Sequence, residues 1–259
     1  MARPKRTPLV DKGRTERGGH VGRLHASIVA AVRVEIVSDL VCPWCFIGKR
    51  RFERAVYDLR HAGLEVDLHV SWRAYQLDPT APTDTAEPVI DAYAKKFGGH
   101  ERAAEILAHV TATAAAEGIT FDTQRAVRAN TLGAHRLLKF VAHHAPDLEG
   151  AVNEKVMSAY FTEGLNIGDP AVLTSCARRA GVQHDALGSL FDASTTTAVS
   201  QATPSIDEWS SRVHDDFAWA AERDITAVPT FVINDAFVIP GAQDSTTFAR
   251  LLRKMIEPS

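Results

Sequence analysis

Cysteine is nearly absent from this 259-residue chain: Cys42, Cys45 and Cys176 are the whole supply. A secreted scaffold held by disulfides carries more, in even number, so that class is excluded. An excess of one charge is lacking too. Lys and Arg total 29 against 32 Asp and Glu, a net of −3, so nothing global draws the chain to nucleic acid or an anionic membrane. No apolar run approaches the roughly 20 residues of a membrane-spanning helix. Nor does a continuous apolar segment follow the basic start Arg3–Arg6, as a signal peptide requires. These absences point to a cytoplasmic protein. In a reducing compartment a spaced cysteine pair is more often catalytic or metal-binding than structural.

What is present is an ordinary globular composition, 45% hydrophobic and 24% charged, in a chain long enough to bury a full core. Residues 1–31, rich in Arg, Lys, Gly and Pro, read as a disordered basic tail. Val32–Leu40 (VRVEIVSDL) is β-branched and roughly alternating, as a strand is. A helix follows from Pro43, on which Phe46, Phe52, Val56 and Leu59 are expected to share a face, and Gly63 stops it. Leu64–Tyr75 alternates again. Strand, helix and strand within some forty residues make a βαβ unit with parallel strands. After the turn-rich linker Gln76–Pro88, strand signals vanish and alanine dominates as far as Ala202. Five helices are expected there, ending near Gly118, Pro146, Gly164, Gly181 and Ala202. Ser205–Asp224 reads as a further helix, Val228–Asp235 and Ala236–Gly241 as a hairpin, and Asp244–Pro258 as a closing helix capped by Asp244.

The expected fold class is therefore α/β, βαβ…αββα with an inserted all-helical domain. Its parts are the tail 1–31, a first sheet portion 32–83, the inserted helices 84–203 and a second sheet portion 204–259.

The chemistry concentrates at Ser38–Glu53, SDLVCPWCFIGKRRFE. Cys42 falls where the helix starts, and the unpaired N–H groups and macrodipole of a helix N-terminus favour negative charge on its sulfur. Cys45 lies one turn on, where i and i+3 side chains meet. Such a pair can close into a disulfide and reopen with little backbone motion. The first cysteine attacks a partner disulfide and the second resolves the mixed disulfide. Pro43 fixes the backbone for the helix start. Trp44 brings a large apolar surface that can cover the sulfurs or face a substrate. A structural zinc site wants four ligands, usually from two such pairs, and no second pair exists; His61 and His69 stand at spacings that make no site. No metal is expected.

SDLVCPWCFIGKRRFE closely resembles the DsbA-like group of thioredoxin-fold proteins, in particular the FrnE-like branch of dithiol–disulfide oxidoreductases and isomerases. VSWRAYQLDP (Val70–Pro79), ANTLGAHRLLKF (Ala129–Phe140), AYFTEGLNIGDPAVL (Ala159–Leu173) and ITAVPTFVINDAFVIPGAQ (Ile225–Gln243) are similar to further segments of that family. The likeness runs from about Val32 to Met255. It implies a thioredoxin fold with a helical insertion and a cis Val228–Pro229 bond beside the cysteines. Val228 and Pro229, with Pro43 and Trp44, would then border a substrate groove, and the backbone of Val228 would pair with an extended substrate. The implied activity is thiol–disulfide exchange with protein or small-molecule disulfides, with no bound cofactor and with glutathione as a redox partner. Relatives of the same fold include kappa-class glutathione transferases and 2-hydroxychromene-2-carboxylate isomerases, whose nucleophile position carries serine. A glutathione-dependent isomerase or transferase acting on a small aromatic substrate is thus the alternative, and the intact cysteine pair speaks against it.

The remaining candidates have plainer readings. Trp72, Arg73, Asn130 and Arg136 are expected to make hydrogen bonds between the two parts of the chain. Cys176, amid Leu173, Ala177 and Ala180, reads as a small buried hydrophobe. Asp39 reads as an organiser of the helix start rather than as a carboxylate opposing a thiolate. His135–His144 (HRLLKFVAHH) reads as a histidine-rich helix surface without metal-binding spacing. The apolar faces of the helical block are compatible with a homodimer.

Overall fold

The computed structural model describes residues 31–64, 67–82, 87–191 and 206–256. The basic tail therefore lies outside the described residues, apart from Ala31. Among the described residues, no helix is long and apolar enough to cross a membrane.

Strand β1 (Val32–Ser38), helix α1 (Pro43–His61) and strand β2 (Leu68–Ala74) form the βαβ unit, with β1 and β2 parallel and Val34 opposite Val70. The chain leaves α1 through Gly63 at φ +82°, a conformation glycine adopts without steric cost. Strands β5 (Thr230–Ile233) and β6 (Phe237–Pro240) form the expected antiparallel hairpin. Strand β5 lies against β1, giving the sheet order β2-β1-β5-β6. The closing helix α8 (Ser245–Ile256) starts at Asp244, whose Oδ1 accepts the Thr247 N–H at 2.7 Å.

Between β2 and β5 lie α2 (Val89–Phe97), α3 (His100–Ala116), α4 (Leu132–His144), α5 (Glu149–Phe161), α6 (Pro170–Arg179) and α7 (Ile206–Ala221). Several expectations are corrected here. The helix expected to run back from Pro146 to Asp122 begins only at Leu132. The Asn130 side chain accepts the Leu132 N–H at 2.9 Å, one way a short polar side chain competes with helix. Val127–Arg128 instead forms the two-residue strand β4, paired with β3 (Glu87–Pro88), so strand structure does not vanish from this region. Val89–Phe97, which is not among the five expected helices, forms one ending at Gly98 in the left-handed region. The helix expected from His184 shrinks to a 3-10 turn at Asp185–Leu187, and its remainder from residue 192 lies outside the described residues.

Helix α1 serves two cores. Phe52, Ala55, Val56 and Leu59 pack with Val34, Ile36, Phe231, Phe248 and Leu252; the Phe52 ring lies 5.5 Å from those of Phe231 and Phe248. Phe46 does not join them. It sits with Phe121 and Phe161, at ring distances of 6.2 and 5.9 Å, because six residues on a 3.6-residue helix turn the side chain about 240° away. Cys42, Cys45 and Ile47 belong with Phe46 to this second cluster, which continues through Leu137, Val156 and Met157. The cysteine turn is thus buried by the inserted helices.

Ion pairs tie the same elements. Asp216 of α7, fully buried, accepts from the Ala74 N–H at 2.8 Å and Arg73 Nη1 at 3.0 Å and pairs with Lys139 Nζ at 2.5 Å. Lys49 of α1, also buried, reaches Glu154 of α5 at 2.6 Å and Glu53 at 2.7 Å.

Candidate active site

Beyond β1 the chain turns through Asp39–Val41, and the Cys42 N–H donates to the Asp39 carbonyl at 3.1 Å. Cys42 is the N-cap of α1, with extended backbone and no side-chain capping bond, and Pro43 is the first helical residue. Proline costs nothing there because the first helical N–H groups lack intrahelical acceptors in any case. The Cys42 carbonyl accepts from the Cys45 N–H at 3.0 Å and the Phe46 N–H at 3.3 Å. Both thiols are free, and both residues are almost wholly buried.

The Cys42 Sγ–H points at the Val228 carbonyl, 3.8 Å away, and Val228–Pro229 is cis. Distant parts of the sequence thus meet at one sulfur. The loop is held from several sides: Thr230 Oγ1 donates to the Ala227 carbonyl at 2.8 Å and the Gly241 N–H to the Pro229 carbonyl at 2.7 Å. Arg51 Nη1 of α1 donates to the neighbouring Ala242 carbonyl at 2.9 Å. Trp44 is half-buried, its ring 6.0 Å from that of His109 on α3. All six expected site residues, Cys42, Pro43, Trp44, Cys45, Val228 and Pro229, lie along this turn or the loop facing it.

The Cys45 thiol is pushed well up, first by burial, then by its hydrogen bond and charge interaction with Cys42; the Ser38 hydroxyl and the Asp39 backbone partly oppose this. In the reduced protein Cys45 therefore holds its proton. Burial raises the Tyr93 hydroxyl to about 12, aided by Cys42. Tyr160 is raised by burial, with Tyr93 and Asp39 adding.

Asp39 meets the helix start through its backbone carbonyl, while its carboxylate reaches the linker and α4. Its Oδ2 accepts the Leu77 N–H at 2.7 Å, and Oδ1 lies 3.4 Å from His135 Nε2. His135 itself is a correction: it is buried, with Nε2 2.9 Å from the Tyr75 carbonyl, so the histidine-rich stretch does not begin on the surface. Tyr93 and Tyr160 are not among the site residues expected from the sequence. Tyr93 lies within electrostatic reach of Cys42, and Tyr160 within reach of Tyr93 and Asp39. Asn130 and Arg136 stay away from the sulfurs; Asn130 donates to the Ala81 carbonyl at 2.9 Å and Arg136 to the Leu190 carbonyl at 3.2 Å. Cys176 is buried in α6, its Sγ 3.5 Å from the Lys155 carbonyl, and burial raises its thiol. Among the described residues, no group of three His, Cys, Asp or Glu side chains could hold a metal ion.

A family model for the DSBA-like thioredoxin domain matches residues 33–253. The protein YwbO of Bacillus subtilis (strain 168) is 29% identical over 234 residues, spanning 85% of this chain and 96% of its own length. A probable DsbA oxidoreductase of Streptomyces coelicolor superposes with a TM-score of 0.72 at 29% identity, over 86% of this chain and 89% of that one. The cytosolic disulfide reductase DsbM of Pseudomonas aeruginosa, solved with GSH, shares the fold with a TM-score of 0.57 at 15% identity, over 86% of this chain and 98% of that one. The family match runs from the first strand to the last helix and takes in the cysteine turn, the inserted helices and the Val228–Pro229 loop: the chain belongs to the DSBA-like thioredoxin domain family and has its fold.

Proposed function

We propose that this protein is a thiol–disulfide oxidoreductase of oxidase or isomerase type, with Cys42 as nucleophile and Cys45 as resolving thiol. The observation that carries the reading is the free Cys42 thiol at a helix N-terminus, facing the carbonyl of Val228 and one turn from a second free thiol. In the reducing direction the Cys42 thiolate attacks one sulfur of a substrate disulfide. The substrate S–S bond breaks, its leaving thiolate takes up a proton, and a mixed disulfide remains. Cys45 gives up its proton and attacks Cys42 in that mixed disulfide, releasing the second substrate thiol and leaving a Cys42–Cys45 disulfide. The substrate gains two electrons and the protein loses two. Two molecules of glutathione restore the dithiol and leave as glutathione disulfide. The oxidising direction is the reverse.

Pro43 and Trp44 border the approach to Cys42, and Val228 with Pro229 forms its opposite side, where an extended substrate backbone can lie. No bound metal or organic cofactor enters these steps. A cytoplasmic location fits glutathione as the electron partner, and the DsbM structure solved with GSH supports that pairing for this fold.

The test is equilibration in graded glutathione redox buffers, followed by Trp44 fluorescence and alkylation of the two cysteines. The reading expects one reversible two-electron transition, whose midpoint sorts oxidase from reductase. Cys42→Ser should abolish exchange, and Cys45→Ser should accumulate mixed disulfides. Parent-rate exchange by Cys42→Ser would sink the reading. Glutathione bound tightly without exchange would favour a glutathione-dependent isomerase or transferase instead.

A further inference from the structure

A cavity of about 410 Å³ opens beside the cysteine turn, within the roughly 300–1,000 Å³ range of ligand pockets. Its apolar wall is Val41, Val89, Ala92, Tyr93, Phe97 and Tyr160. Val41 immediately precedes Cys42 in the chain. None of the wall comes from the Val228–Pro229 loop, so the cavity is separate from the edge that loop offers.

Most of the charged groups on its rim are committed to one another, and the remaining cation, Lys96, lies against an aromatic ring. Arg128 Nε donates to Asp78 Oδ2 at 2.7 Å, Nη1 to Glu87 Oε2 at 3.3 Å and Nη2 to Thr80 Oγ1 at 3.2 Å. Lys95 pairs with Glu87, and the Lys96 ammonium lies over the Phe97 ring at 5.6 Å. A ligand with two carboxylates, such as glutathione, would have to take cations from these partners. An apolar group needs none of them. At the mouth, Leu77 and Phe97 are both about two-fifths exposed. Exposed apolar groups that rim an apolar cavity mark a surface that gains by being covered.

We infer that this cavity receives an apolar side chain adjacent to the reactive cysteine of a polypeptide substrate, an inference that rests on disulfide exchange at Cys42. Its wall includes Val41, the residue before Cys42, which suits a side chain next to a substrate cysteine. Its open mouth lets the rest of a polypeptide continue into solvent.

Two short peptides test this, identical except for Leu or Asp beside their single cysteine. Titrated calorimetrically into the full-length protein with Cys42→Ser and Cys45→Ser, the Leu peptide should bind about tenfold more tightly, the return for burying one aliphatic side chain. Ala92→Trp, which fills the cavity, and Phe97→Ser, which strips its lip, should each erase that preference. Tyr57→Ala, on the exposed far part of α1, should preserve it. Equal or undetectable binding of both peptides would overturn the inference. So would a free aromatic acid that binds as tightly as the Leu peptide and displaces it, since the site would then serve small molecules. The same peptides, presented as mixed disulfides to the parent protein, separate this inference from the reading beneath it. Exchange without a Leu preference overturns the cavity's role and leaves the exchange reading standing. A Leu preference in binding without any exchange removes the exchange reading and leaves a peptide site.

Discussion

Gly48 lies on the face of α1 that meets the Val228–Pro229 loop, and changing it to alanine sets two effects against each other. A Cβ built there would stand 3.1 Å from Pro229 Cγ, 3.2 Å from Ala242 Cβ and 3.3 Å from Ala242 Cα. Carbon atoms prefer about 3.5–4.0 Å, so the loop must retreat by a few tenths of an ångström. Replacing glycine by alanine inside a helix returns about 1 kcal/mol. Overpacking a well-filled site costs about 1–3 kcal/mol. Because one neighbour is backbone and the other a proline ring, neither swings aside, and the cost wins. We expect Gly48→Ala to lose about 1 kcal/mol, a fall in Tm of about 2–4 °C for a chain of this size. The retreating loop also carries the Val228 carbonyl away from Cys42 Sγ, now 3.8 Å apart. Exchange with a peptide disulfide should slow by roughly tenfold, as small misplacements of a substrate edge do. Gly133→Ala is the counter-case: its Cβ would meet Leu173 Cδ1 at 3.4 Å and Phe191 Cε1 at 3.8 Å, ordinary contact, so a gain of about 0.4–1 kcal/mol is expected. Urea unfolding and exchange kinetics on both variants decide it. Gly48→Ala matching the parent in stability and rate would refute the argument.

Other perturbations have equally definite signs. Asp216→Ala leaves Arg73, Lys139 and the Ala74 N–H without their shared acceptor; a loss of about 3–5 kcal/mol is expected in urea melts, and a change under about 0.5 kcal/mol would contradict the clamp. Burial raises the Glu149 carboxyl to about 7, with Lys139 and the Trp72 backbone only partly opposing. The unfolded chain loses this proton near pH 4.5 while the fold keeps it to about pH 7. Stability should therefore fall across that window by at most about 3 kcal/mol and level off above it. Glu149→Gln should flatten the fall, and an unchanged pH profile would show that the carboxyl is not the cause. With the Cys45 thiol held up by burial, resolution should quicken as pH rises, so mixed disulfides trapped by acid quench should be most abundant on the acid side. An abundance independent of pH would count against Cys45 as the resolving thiol.

Much of the site was legible because it is local. Cys42, Pro43 and Cys45 sit in a strand-to-helix turn, and a turn of known spacing constrains which atoms meet. The βαβ unit, the hairpin and the Asp244 cap are legible for the same reason: alternation, turn residues and cap chemistry are short-range signals. The partner loop was legible through family resemblance alone, since AVPTF read by itself is an ordinary trans proline opening a strand. What failed was longer in range. The start of α4 slipped by ten residues, from Asp122 to Leu132, because Val127–Arg128 is claimed by a strand partner, Glu87–Pro88, some forty residues away. Phe46 and Phe52 are expected on one face from helical spacing, yet the helix turns them toward different cores. That error bears on function. Had Phe46 faced the sheet, α1 would have a single buried stripe and the cysteines would lie at its exposed tip. Instead the first turn of α1 packs into the helical cluster beside Phe121 and Phe161, and burial there raises the Cys45 thiol. On the proposed reading, the cysteine motif states which atoms exchange. The inserted helices, through burial that no short motif encodes, set how readily the second of them gives up its proton.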